Sequence, residues 1–298
     1  MIVTQECEQG EGRIPIMATE RTILITGITG KQGGAVARAL KGSGFKLRGM
    51  TRKPDSDHAK AFARDGVEIV TGDLDDEASL KKALAGVWGV FAVQNTWEAG
   101  VEKEEEQGKR QARLAADAGV RHYVYSSVGS AQKDTGIPHF DNKWRIEEVV
   151  RELKFPSHVV LRPVFFMENL LAPGTMNGDT LALAVKPDTK LQMVAVEDIG
   201  FFGARAFTDA AGMNGRAIDL ASDELTLPEA AAVLSDAFGR TITFTSVPND
   251  QVRKFSEDAA IMFEWFDRIG YSADIEGLKR DYGFKPTTLP EWAKENAR

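Results

Sequence analysis

The sequence predicts an α/β fold: a doubly wound parallel sheet followed by a smaller C-terminal α/β lobe. Three observations carry this expectation. Strand-like apolar runs alternate with amphipathic helical stretches through the first half, joined by short links. Repeated β-α units of this kind give a parallel sheet covered by helices on both faces. The first unit, "TILITGITGKQGGAVARAL" over 22–40, passes from an apolar strand through a glycine-rich turn into a helix. After residue 165 the alternation loosens into turn-rich and then helical sequence.

The strands are read at "TILITG" (22–27), "KLRGMT" (46–51), "VEIVTG" (67–72), "GVFAVQ" (89–94), "HYVYSS" (122–127) and "HVVLRP" (158–163), with helices over 34–42, 57–65, 76–86, 103–118 and 141–153. Right-handed crossovers close such a series in the order 3-2-1-4-5-6, leaving a ligand crevice at the carboxyl ends of the strands. Beyond 165, "NLLAPGTMNGDTLAL" is turn-rich and then apolar, "VAVEDIGFFGARAFTD" is a helix begun by Glu197 and Asp198, and "GRAIDLAS" is a strand. In "TLPEAAAVLSDAFG", Thr226 and Glu229 have capping-box spacing, Pro228 lies in the first turn and Gly239 follows the end. "RTITFTSVP" is a strand, and 250–298 hold mainly helices, punctuated by Gly270 and Pro286. The expected division is a main domain over 20–165, to whose sheet 191–223 returns, and a smaller lobe over 166–298 lying across the crevice.

Composition bounds the function classes. At 298 residues, 43% hydrophobic and 27% charged, the chain is an ordinary globular protein with ample core. A net charge of −7 provides no global positive field for nucleic acid or an anionic membrane surface. No apolar stretch reaches the roughly 20 residues of a membrane helix. The single cysteine, Cys7, has no partner for an internal disulfide, which fits a cytoplasmic setting. Residues 1–19 lack a cationic stretch followed by an apolar one and read as a disordered leader.

The glycine turn places Gly27, Gly30 and Gly33 in a G-x-x-G-x-x-G spacing, with Gly34 behind them. At a strand-to-helix turn, missing side chains let the backbone approach a pyrophosphate, and the helix N-terminus offers free N–H groups. The second strand ends in Thr51, Arg52 and Lys53, where an NAD site would carry an acid. Two cations there suit the 2′-phosphate of NADP(H), with arginine the better partner; a solvated basic turn is the alternative. Asp73 and Leu74 of "TGDLDD" can frame an adenine, or Asp73 or Asp75 can cap the next helix. Val93, Gln94 and Asn95 of "VQNTWE" end a buried strand and face either a ligand or a plain loop.

None of the four tyrosines (Tyr123, Tyr125, Tyr271, Tyr282) has a lysine four residues on, so the tyrosine–lysine proton relay of short-chain dehydrogenases is missing. His139 and Lys143 instead stack one helical turn apart, with Ser126 and Ser127 ending the strand before them. His139 either donates a proton near neutral pH or packs the start of its helix while Lys143 binds cofactor ribose.

Together "GITGKQGG", "TRKP", "GDLDD", "VQNTWE", "HFDNK" and "RPVFFMENLL" resemble the NmrA-like proteins, an atypical branch of the short-chain dehydrogenase/reductase superfamily. The likeness runs from about residue 22 to the C-terminus. It implies a Rossmann NADP-binding domain and a small lobe. By position it implies Gly27, Thr29, Gly30, Lys31, Gln32 and Gly33 at the pyrophosphate, and Arg52 with Lys53 at the 2′-phosphate. It further implies Asp73 and Leu74 at the adenine, Val93 to Asn95 beside the nicotinamide, and Lys143 on its ribose. Phe166, Met167, Glu168 and Asn169 would close over the nicotinamide. The family divides into sensors of the NADPH/NADP state that bind regulatory partners, and reductases of quinones, dyes or phenolic ethers. Here "HFDNK" and "NTWE" look closest to the sensor-like, non-tyrosine members, which implies an NADP(H)-binding sensor with weak or no dehydrogenase activity. The alternative is an NADPH-dependent reductase of a quinone or other flat aromatic acceptor, stacked by Trp97, Phe165 and Phe166, with His139 and Lys143 catalytic. The expected partners are NADP(H) and either a small aromatic substrate or a regulatory protein, without metal, nucleic acid or membrane.

Overall fold

The apolar runs of the first half become one parallel sheet in the computed structural model, which describes residues 21–297. The leader expected over 1–19, with Cys7, lies outside the described residues. Strands β1 (Thr22–Thr26), β2 (Lys46–Thr51), β3 (Glu68–Thr71), β4 (Gly89–Ala92), β5 (His122–Ser126) and β6 (Ser157–Pro163) alternate with helices. These are α1 (Lys31–Ala39), α2 (Asp57–Arg64), α3 (Glu77–Leu84), the single turn α4 (Thr96–Ala99), α5 (Val101–Asp117) and α6 (Pro138–Glu152). The second half continues through β7 (Phe165–Phe166), β8 (Met176–Asn177), β9 (Thr180–Leu183), β10 (Lys190–Val194), α7 (Val196–Thr208), α8 (Ala210–Met213), β11 (Ala217–Leu220) and β12 (Asp223–Thr226). It ends with α9 (Leu227–Phe238), β13 (Thr243–Ser246), α10 (Asn249–Arg253), α11 (Glu257–Arg268), α12 (Ile275–Tyr282) and α13 (Leu289–Asn296).

The sheet order is β3-β2-β1-β4-β5-β6-β11, the expected Rossmann order with one further parallel strand. Segment 191–223 divides between two sheets. Its β11 pairs with β6 from Ala217↔Val160 to Leu220↔Pro163, while β10 joins β7 and β12 in a small three-stranded sheet. Side chains alternate across the pleat, so the strand β1 feeds two cores. Ile23 and Ile25 meet Phe91, Val124, Phe202 and Phe207 on one face, and Leu24 meets Val90, Tyr123, Leu80 and Ile146 on the other. Helix α7 lies close on α1 because two glycines face it. A Cβ at Gly200 would stand 2.8 Å from the Ala35 carbonyl oxygen, and one at Gly203 2.4 Å from a Val36 methyl.

The small lobe packs Trp265, Phe266, Leu191, Met193, Leu227, Leu234 and Trp292 into its own core. Thr226 and Glu229 form the expected capping box, and Gly239 ends α9 in the left-handed region. Thr288 and Glu291 repeat the device on α13. Two local expectations are corrected. Asp76, rather than Asp73 or Asp75, caps α3, because Asp75 is turned toward Lys103 and Gln107. The loop at "NTWE" is instead the helical turn α4, with the Asn95 side chain accepting the Trp97 N–H. Among the described residues no helix is long and apolar enough to cross a membrane.

Candidate functional site

A cleft of about 850 Å³ opens at the carboxyl ends of β1 to β6 and runs beneath the small lobe. Its first wall is backbone. Gly27 leaves β1 with φ +62°, and the Gly30 N–H donates to its carbonyl at 2.9 Å. Helix α1 starts at Lys31 with no side chain capping it. Its first-turn N–H groups and the positive end of its dipole therefore face the cleft. A Cβ at Gly33 would lie 2.4 Å from the Gly27 carbonyl oxygen and 2.7 Å from that of Thr26, so only glycine lets the helix sit on the turn. A Cβ at Gly30 meets just the Gly27 oxygen, at 3.2 Å; its remaining side is open to the cleft. Thr29, Lys31 and Gln32 line the same wall, and Gln32 Oε1 accepts the Ser126 hydroxyl at 2.6 Å.

Arg52, Lys53, Asp73 and Leu74 line the next stretch. Arg52 is ion-paired to Glu98 of α4, an exposed pair that reaches across the groove. Asp73 Oδ1 accepts the Asp75 N–H at 3.0 Å.

Farther along, Val93, Gln94 and Asn95 line the cleft with Ser127. Gln94 donates to Gln111 at 2.7 Å, and its Oε1 is buried without a partner among the described residues, as is the Ser127 hydroxyl. Buried polar atoms normally have partners, and both of these belong to residues that line the cleft. Below them lies Glu104, with 0% of its side chain exposed, bound to Lys143 at 2.8 Å. Thr96 and Asn142 donate to its other oxygen, Asn142 at 2.9 Å. Burial pushes this carboxyl up, but Lys143 and the two donors outweigh it and hold it below the usual carboxylate range.

His139 lines the cleft one turn before Lys143. Its Nδ1 is bonded to Asp258 Oδ1, and its backbone N–H donates to the second Asp258 oxygen at 3.1 Å. Asp258 comes from the first turn of α11 in the small lobe. The imidazole also rests against Trp97 and Phe140, at centroid separations of 5.2 and 4.7 Å. Phe140, Phe165, Phe166, Met262 and Tyr271 continue this end as an apolar chamber, and burial raises the Tyr271 phenol above its ordinary range.

Two predicted residues are not brought to the cleft. Met167 is fully buried in the small-lobe core. Glu168 accepts the Val196 N–H at 3.0 Å and the Trp292 indole at 3.1 Å, and burial pushes its carboxyl up. Of that tetrad only Phe166 and Asn169 line the cavity. Reasoning from sequence missed Glu104, although Glu104, Gln107, Gly108 and Gln111 form a buried stripe at helical spacing on α5 that periodicity can detect. It also missed Asp258, which reads as an ordinary acid in a first helical turn.

An open parallel sheet with an uncapped glycine turn after β1 and a cleft at its strand ends defines a Rossmann-type protein. The chain belongs to the NmrA-like family, whose model matches residues 19–293. It is similar to a (4-alkanoyl-5-oxo-2,5-dihydrofuran-3-yl)methyl phosphate reductase of Streptomyces griseus, 33% identical over 235 residues, or 78% of this chain and 79% of that protein. Two solved structures share the fold at TM-score 0.77. One is NmrA, a negative transcriptional regulator in complex with NADP, at 21% identity over 93% of this chain and 95% of that one. The other is an NADPH-dependent quinone oxidoreductase from Escherichia coli complexed with NADPH, at 23% identity over 93% and 100%.

Proposed function

We propose that the chain binds NADP(H) in this cleft and reduces a quinone or another flat conjugated carbonyl compound. The groove fits the cofactor. The N–H groups opening α1 would hold the pyrophosphate, Arg52 and Lys53 the 2′-phosphate, and Asp73 with Leu74 the adenine. Gln94 Oε1 and the Ser127 hydroxyl would find on the nicotinamide half the partners they lack among the described residues. Lys143, fixed by Glu104, would meet the nicotinamide ribose. Bound NADPH supplies a hydride; the protein's own part is to orient the acceptor, exclude water and provide a proton. The reading rests on one observation above all: the cavity lined by the glycine turn is lined also by His139 and the aromatic side chains Phe140, Phe165, Phe166 and Tyr271. The reductase names among the relatives support it.

A redox-state sensor is the second reading, favoured by the Arg52–Glu98 pair. A 2′-phosphate on Arg52 would release Glu98 beside Trp97, so cofactor binding would alter the segment that covers His139. The deciding experiment is NADPH consumption across a panel of quinones, with NADPH and NADH affinities measured by calorimetry. Turnover with NADPH preferred over NADH is the expected result. Tight NADPH binding with no turnover, and different proteolytic protection of 166–298 by NADPH and NADP⁺, would favour the sensor instead.

A further inference from the structure

We propose that Asp258 is a positioning residue for this reduction: reaching from the small lobe, it fixes the ring of His139 so that Nε2 serves the acceptor in the cleft. The inference rests on the reductase reading, and the structure supplies its geometry. The two oxygens of Asp258 take two different groups of His139, the ring Nδ1 and the backbone N–H. A carboxylate has only lone pairs to offer, so the imidazole nitrogen facing it carries the hydrogen. The bond made by one ring nitrogen decides which proton the other holds. Nδ1–H is thereby assigned to Asp258, and Nε2 is left for a ligand in the cavity that His139 lines. Trp97 and Phe140 also pack against the ring. A residue serving only to start α6 would need none of this, because the backbone contact alone would do so.

In the reaction His139 begins with both ring nitrogens protonated. With NADPH bound and its hydride delivered to one quinone oxygen, the His139 Nε2–H bond would break and an O–H bond would form on the other quinone oxygen. The acceptor would then hold the two electrons and the hydrogen of the hydride together with the proton from His139, which completes the hydroquinone, and the bound cofactor would be the reductant, oxidised from NADPH to NADP⁺. His139 remains neutral, with Nδ1–H still on Asp258, and regains its second proton from solvent. Asp258 touches neither substrate nor cofactor; it acts through the ring.

The test is Asp258→Asn in the full chain, read by nitrogen-15 NMR of the histidine tautomers and by steady-state kinetics with NADPH and a quinone. Asparagine keeps the size of the side chain. Its oxygen can still accept the backbone N–H, which turns its amide N–H toward Nδ1 and forces the proton onto Nε2. In the wild type, neutral His139 should be the Nδ1–H tautomer, and in the variant the Nε2–H tautomer. kcat should fall on the order of 10²–10⁴-fold, with NADPH affinity changed less than about twofold. A wild type in the Nε2–H form would overturn the proposal even if the variant does not fold. So would a variant that keeps its kcat, or one whose cofactor affinity, kcat and melting temperature fall together, which would make Asp258 only a tie between lobes. A wild type that turns over no quinone overturns the reductase reading and the catalytic consequence with it. The tautomer measurement still decides whether Asp258 sets the ring.

Discussion

The glycine-turn end of the cleft and its aromatic end are made of different materials. The first is a contiguous stretch, Gly27 to Gly33, in which the functional groups are backbone N–H donors and the essential side chains are missing ones. The second gathers Trp97, Glu104, His139, Lys143, Phe165, Asp258 and Tyr271 from both lobes, and its groups are held by charge and ring contacts. The contrast teaches where each end is vulnerable. A single methyl group is enough to break the first, whereas the second fails when one member of a buried pair is removed.

Lys143→Met should show the largest effect on stability. It leaves Glu104 buried without its cation, a loss of about 3–5 kcal/mol for a broken buried pair, less what Thr96 and Asn142 still supply. Urea denaturation across a pH series checks both size and sign. In the wild type the Glu104 carboxyl lies below its ordinary range. Its contribution is therefore present above the unfolded value, about 4.3, and lost as pH falls through the folded one. In the variant burial is opposed only by Thr96 and Asn142 and raises that carboxyl relative to the wild type, so acid should relieve the strain. The gap between the two proteins should be widest near neutral pH and shrink below about pH 4; a constant gap would mean that Glu104 is not the cause.

Gly33→Ala sharpens the comparison from the other end. Its Cβ would meet three backbone atoms within 2.7 Å, which cannot move as a side-chain tip can. Destabilisation should reach about 3 kcal/mol, the upper part of the usual overpacking range. Gly30→Ala should cost the fold under about 1 kcal/mol, since that position is extended and its one close contact is mild. NADPH affinity should nevertheless fall roughly tenfold or more, because the added carbon enters the pyrophosphate's space. Calorimetry beside a melting curve separates the two glycines; equal stability losses would show that they play one role.

Arg52→Ala should weaken NADPH by about 1.5–3 kcal/mol, the worth of one charge-assisted bond, or roughly 10–150-fold. NADH should be nearly unaffected, and parallel losses would remove Arg52 from the 2′-phosphate. The smallest effect belongs to Glu98→Gln. The pair it breaks is exposed on both sides, and such pairs contribute little. Freeing Arg52 should raise NADPH affinity by no more than about fivefold, and a decrease would make Glu98 a ligand rather than a competitor.

Much of the glycine-turn end was legible as structure because its signals are local. Glycine spacing, the apolar strand before it and the helix after it are set by neighbours in sequence, as are the capping box at Thr226 and the placement of Arg52 at a strand tip. The tetrad Phe166 to Asn169 was half legible. The sequence locates the segment, but its short 3₁₀ turn carries Met167 into the core and Glu168 onto α7 and α13. The β11 strand was read as a strand, while its place at the sheet edge follows from pairing with β6.

The sequence by itself determined the β-α alternation, the sheet order through β6, the glycine-rich strand-to-helix turn and the His139–Lys143 helical step. Hydrophobic period, turn stereochemistry and capping are properties of residues close along the chain. Only the tertiary structure decided which acid of "EKEEE" is buried against Lys143, and which carboxylate of the small lobe meets His139. The acids of that run are chemically alike. Burial by a neighbouring helix or lobe makes one of them a working partner and leaves others in water, where a charge is screened and contributes little.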